Sequence, residues 1–61
     1  MIYYTILDNK TQSLIDSNKT ELTIKQLLDF FEMNTAIEKR CRFSKKCRMF
    51  VGKNQTIFIN R

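Results

Sequence analysis

Thr35-Ala36-Ile37-Glu38-Lys39-Arg40-Cys41-Arg42-Phe43-Ser44-Lys45-Lys46-Cys47 is the segment on which the fold assignment rests. Thr35 and Glu38 have capping-box spacing, in which a hydroxyl takes one orphan amide and the side chain three residues on returns the bond. A helix is therefore expected from Ala36. At about 100° per residue, Ala36, Ile37, Cys41, Ser44 and Cys47 share one arc, with Arg40 intruding. Lys39, Arg42, Lys45 and Lys46 fall on the opposite arc together with Glu38. The spacing predicts a helix with a thin apolar seam and a broad basic face.

Upstream lies a stronger helical signal. Thr23 and Gln26 repeat the capping-box spacing, and Leu22 and Leu27 occupy hydrophobic-staple positions. Ile24, Leu27, Leu28 and Phe31 recur at i, i+3, i+4 and i+7, which predicts a first helix from Ile24 to about Glu32. Met33-Asn34-Thr35 separates the two helices. Downstream, Arg48-Met49-Phe50-Val51, the turn Gly52-Lys53-Asn54-Gln55 and Thr56-Ile57-Phe58-Ile59 read as a hairpin, with Gly52 where a tight turn takes positive φ. At the N-terminus, Ile2-Tyr3-Tyr4-Thr5-Ile6-Leu7 is β-branched and aromatic and predicts a strand. The turn cluster Asp8-Asn9-Lys10-Thr11 follows, then a short return strand at Leu14-Ile15 and a polar loop from Asp16 to Thr20. The expected class is α+β, a small winged helix-turn-helix in the order β-β-α-α-β-β. It occupies 1–61 as one domain: hairpin 1–17, helix-turn-helix 23–47 and wing 48–61.

Sixty-one residues leave no room for a second core. A chain of this size buries only about 60% of its unfolded surface. The composition, 43% hydrophobic and 28% charged with one Gly and no Pro, is that of a globular domain. No apolar run approaches the roughly 20 residues of a membrane span, and no basic stretch leads into an apolar one at the start. A cytoplasmic location, within a bacterial host cell, is expected. With no His and two Cys, zinc and His-based catalysis have little to build on. Asp8, Asp16, Asp29 and Glu32 form no recognisable acid/base pair, and no Gly-rich phosphate loop is present. A non-enzymatic binding module is expected, with no cofactor, metal or small-molecule substrate.

Charge is segregated along the chain. Residues 1–38 carry three lysines against six acids, a net of −3, and residues 39–61 carry eight cations and no acid, a net of +8. Such a split points to an anionic partner for the C-terminal half. In a helix-turn-helix the second helix enters the major groove, so Lys39, Arg42 and Lys46 are expected to share its DNA-facing side. Arg40, Lys45 and Arg48 extend the basic surface, and Lys53, Asn54 and Gln55 at the hairpin tip would meet phosphate or the minor groove. A merely solvated basic face is the alternative. Cys41 and Cys47 would stand about 240° apart on a helix, too far round to pair, so buried thiols outside any disulfide are expected. Tyr3, Tyr4, Phe30, Phe43 and Phe58 offer stacking faces for single strands, with core packing the favoured use.

Leu22-Thr23-Ile24-Lys25-Gln26-Leu27-Leu28 resembles the opening of excisionase-type winged helix-turn-helix proteins of phages and mobile elements. Phe31-Glu32-Met33-Asn34 stands where that family runs into its turn, with Glu32 in place of the usual Gly. Phe50-Val51-Gly52-Lys53 and Thr56-Ile57-Phe58-Ile59-Asn60-Arg61 look like its wing. The resemblance covers residues 22–61, with residues 1–17 as an N-terminal addition. It implies double-stranded DNA as partner, bound by an architectural factor in DNA recombination or by a transcription regulator, with an integrase contact or self-association besides. A small phage-type inhibitor that places its basic face on a host protein is the second functional expectation.

Overall fold

The computed structural model of the chain describes residues 1–42 and 45–60. Six elements follow in order: β1 (Ile2–Asp8), β2 (Leu14–Thr20), α1 (Ile24–Phe30), β3 (Ile37–Arg40), β4 (Cys47–Val51) and β5 (Gln55–Asn60). The strands form one five-stranded sheet, β2-β1-β5-β4-β3, and every neighbouring pair is antiparallel. The last strand thus inserts between the first and the fourth. Side chains alternate across a strand, and the register lines up Ile6, Ile57 and Phe50 across three strands on the helix side. With Ile2, Ile59, Leu27 and Met33 they make the buried core, against which Tyr4, Ile24, Leu28, Phe31 and Ala36 pack.

The expected winged helix-turn-helix is not the fold. Only one helix is present among the described residues, and β3 and the start of β4 stand where the second was expected. The reason is what each conformation gains. A helix over 36–47 would bury only a thin seam of small side chains, whereas Ile37–Arg40 completes a backbone ladder on β4. Thr35 lies in a turn after Met33, whose carbonyl accepts the Ala36 amide at 3.0 Å. Its spacing to Glu38 is coincidental. The predicted loop Asp16–Thr20 is likewise strand, because its backbone pairs with β1 from Ile2 to Ile6. An edge strand pairing on one side only tolerates such polar content. A bulge between Ile6 and Leu7 shifts the register, so that Leu7 pairs with Leu14 and Ile15 is the extra residue.

Helix α1 follows its sequence signals closely. The Thr23 hydroxyl accepts the Gln26 amide at 3.2 Å, and the Gln26 side-chain oxygen accepts the Thr23 amide at 3.0 Å. The C-terminus is a Schellman motif: Met33 N–H donates to the Leu28 carbonyl at 2.7 Å and Glu32 N–H to the Asp29 carbonyl at 3.1 Å. Glu32 is the left-handed residue, with φ 57°. Gly52 does not hold positive φ, contrary to expectation. Its constraint is proximity: a Cβ there would sit 3.1 Å from the Gln55 carbonyl oxygen and 3.3 Å from the Met33 methyl. Asn9 fastens the two neighbouring turns together. Its amide donates to the Gly52 carbonyl at 2.9 Å, its backbone N–H to the Asn54 carbonyl at 3.0 Å, and its side-chain oxygen accepts the Thr56 hydroxyl.

The Schellman geometry sets a first prediction. A non-glycine residue in the left-handed region costs about 1–2 kcal/mol, and glycine returns part of that through its own chain entropy. Glu32→Gly should raise stability by about 0.5–1 kcal/mol in a urea melt. A fall in the midpoint would mean that the Glu32 side chain supports the turn.

Candidate nucleic-acid interface

The β3–β4 hairpin gathers six of the expected binding residues: Lys39, Arg40, Arg42, Lys45, Lys46 and Arg48. All six are exposed, and strand β3 is exposed along its whole length. The strand geometry deals them differently from a helix. Lys39 stands opposite Met49 on the face away from α1, and Arg40 stands opposite Arg48 on the helix side. Lys39, Arg42 and Lys46 therefore do not share a helical face. Arg42, Lys45 and Lys46 lie in the connection between the two strands. Arg42 and Lys45 line an open hollow at the end of the hairpin together with Cys41, Cys47 and Met49.

Arg40 facing Arg48 sets like charges directly across a pair, which is unfavourable on its own. Glu38, diagonal to Arg48, relieves it. The Arg48 guanidinium grips the carboxylate twice, Nε to Oε2 at 2.7 Å and Nη2 to Oε1 at 2.8 Å. It also lies 5.3 Å from the centroid of the Phe50 ring. Hydrogen bonding and charge from Arg48 hold the Glu38 carboxyl below its ordinary value, and the same contacts raise Arg48. Arg48 thus belongs to the scaffold, and Glu38 is the one acid on this hairpin.

Lys53, Asn54 and Gln55 lie elsewhere. Lys53 and Asn54 lie in the β4–β5 turn and Gln55 opens β5, beside the β1–β2 turn and at the far end of a five-residue strand. At about 3.3 Å per residue, that places them roughly 17 Å along β4 from the Arg42–Lys46 connection. The Asn54 and Gln55 carbonyls are already occupied by Asn9 and Gly52. The structure therefore divides the predicted binding residues between two ends of the sheet.

Other candidate side chains have structural partners. The Tyr4 hydroxyl donates to Asp16 at 3.0 Å, and burial, then that bond, raise its pKa. Tyr4 also packs on Phe31, ring to ring at 5.5 Å. Tyr3 is exposed with the Lys19 ammonium 5.9 Å from its centroid, and Phe30 is 70% exposed. Phe43 and Arg61 lie outside the described residues. Cys41 and Cys47, which a helix would hold apart, come close enough to interact just past the last β3–β4 pair, Arg40 and Arg48; no helix-based reading could have found that. No group of three or more His, Cys, Asp or Glu that could hold a metal occurs among the described residues. Among the same residues, no helix is long and apolar enough to cross a membrane.

No family model, curated protein or solved structure matches the chain. The winged helix-turn-helix fold implied by the excisionase resemblance is overturned by β3.

The Glu38–Arg48 pair gives the second prediction. A folded carboxyl held below its ordinary value contributes above its unfolded pKa and loses that contribution as pH falls through the folded value. By NMR, the Glu38 carboxyl should titrate at lower pH in the native chain than in an Arg48→Ala variant. Equal midpoints would mean the pair does not persist in solution.

Proposed function

We propose that the protein binds double-stranded DNA through the β3–β4 hairpin, as a basic two-stranded ribbon and not through a recognition helix. The observation that carries this reading is the concentration of Lys39, Arg40, Arg42, Lys45 and Lys46 on one exposed hairpin whose single acid, Glu38, is held by Arg48. The major groove, about 12 Å wide, accepts a two-stranded β-ribbon as well as a helix. Arg40 and Arg42 have the planar donor fork suited to guanine or to phosphate, and the lysines serve as point charges toward the backbone. The role is binding without catalysis. Asp8 caps its own turn through the Lys10 and Thr11 amides, Asp16 holds Tyr4, and Glu38 holds Arg48.

One module of this kind offers only about 600–1,000 Å² to DNA, so tight binding calls for more than one copy on the site. The sheet edges available for self-association are β2 and β3, since β1 lies inside the sheet. A second reading is a protein partner with an acidic surface. It is favoured by Ile37, 65% exposed on the same face as Lys39, since apolar contact beside charge suits a protein better than a phosphate backbone.

Salt dependence separates the two. Removing one phosphate interaction lowers the magnitude of the log–log salt slope on B-DNA by about 0.9. Arg42→Ala and Lys45→Ala should each do so in anisotropy titrations on random duplex, with thermal melts unchanged because both side chains are exposed. Lys53→Ala, at the opposite end of the sheet, should leave the slope intact. Folded Arg42 and Lys45 variants with an unaltered slope would remove the hairpin as the DNA surface and favour the acidic protein.

A further inference from the structure

Cys41 and Cys47 bracket the basic connection 42–46, just past the last β3–β4 pair. The paired positions run Ile37↔Val51, Glu38↔Phe50, Lys39↔Met49 and Arg40↔Arg48. The ladder ends there; continuing its register by one step would oppose Cys41 to Cys47, and the two thiols are close enough to interact. Both fall on the face of Lys39 and Met49, since side chains alternate along each strand. Opposed residues of an antiparallel pair have Cα atoms about 4.5–5.5 Å apart, within the roughly 4.4–6.8 Å that a disulfide spans. Both residues are in the thiol form and partly buried; the Cys47 thiol donates to the Arg48 carbonyl at 3.9 Å and lies within interaction range of Cys41.

We propose that Cys41 and Cys47 form a thiol–disulfide exchange site, oxidised by a low-molecular-weight disulfide of the glutathione class to a cross-strand disulfide that closes the 42–46 connection into a ring. The chemistry proceeds in two displacements. The Cys41 thiolate attacks one sulfur of RSSR, forming Cys41–S–S–R and breaking the RS–SR bond, so that one RS⁻ leaves. Cys47 then gives up its proton and attacks the Cys41 sulfur, forming the Cys41–Cys47 bond and expelling the second RS⁻. The protein dithiol loses two electrons and two protons, and RSSR gains them as two RSH. The order follows from the surroundings. Burial first, then the bond to Cys41, pushes the Cys47 thiol up to about 11, so Cys47 is the resolving thiol.

The site stands on the register and does not depend on DNA binding. The test uses the full chain in glutathione buffers of defined poise, acid-quenched and read by intact mass without reductant. The expected product is a monomer lacking two hydrogens, with no lasting glutathione adduct. A C-x5-C segment can also close when unfolded, so the native ratio of disulfide to dithiol is compared with that in concentrated urea. Pre-alignment by the ladder should raise the native ratio by about tenfold or more, equivalent to about 30 mV for this two-electron couple. The variants Cys41→Ser and Cys47→Ser should each stop at one glutathione adduct, forming faster in Cys47→Ser, which retains the attacking thiol. A native ratio at or below that in urea, a stalled adduct on the wild-type chain, or a disulfide-linked dimer would overturn the site. Faster capture by Cys41→Ser would reverse the roles and overturn the proposed order.

Discussion

Ile6 and Ile57 face each other across β1 and β5 without solvent exposure, and the remaining structure depends on that contact. It joins the two ends of the chain. It also places β5 at the centre of the sheet, so that β1 with β2 can be added on one side and β4 with β3 on the other. Burying each isoleucine stabilises by about 1.5–3 kcal/mol, a large share of what a domain this small can hold in reserve. Leu27 of α1, with no more than a trace of exposure, covers the same side of the sheet, and the capping box orients the helix that brings it there. Because the core closes through the ends of the chain, β3 contributes no buried side chain and is left open in composition.

That division explains what the sequence revealed and what it concealed. Helix α1 was legible because its signals are local: cap, staple and apolar stripe all lie between Leu22 and Phe31. Strands β1, β4 and β5 were legible as β-prone runs, and the turn at Lys53-Asn54 as the break between two of them. Strand β3 was not, because Ile37-Glu38-Lys39-Arg40 has no strand signature of its own and is held by the ladder to β4. A local rule applied there found Thr35 and Glu38 at capping distance and built a helix that the tertiary structure does not use. Two turn residues teach a related lesson. The left-handed position after α1 is taken by Glu32, while Gly52 is needed for its close approach to Met33.

The composition of the candidate site was readable, since a net of +8 over residues 39–61 survives any refolding of the segment. Its geometry was not. A helical period of 3.6 groups Lys39 with Arg42 and Lys46, whereas a strand period of two separates Lys39 from Arg40 and sends the β4–β5 turn to the other end of the sheet. Arg48 changes role altogether, from a DNA-facing cation to the partner of Glu38 and Phe50. The cysteines change most. Their separation of six residues argues against contact on a helix and for contact across a hairpin, so the secondary-structure assignment alone reverses the chemistry available to them.

Strand β3 is an outer edge of the sheet, with backbone groups on one side that no strand among the described residues satisfies. Edges of that kind invite pairing with other chains, and charged side chains are a common defence. Glu38, Lys39 and Arg40 supply that defence, and Arg42, Lys45 and Lys46 continue it around the end of the hairpin. A balanced mixture of acids and bases would protect the edge equally well. The hairpin instead carries six cations against one acid, and that acid is committed to Arg48. Edge protection therefore accounts for the presence of charge but not for its sign. The excess of one sign is what a polyanion recognises, and it lies on and beyond a strand whose side chains the core does not require.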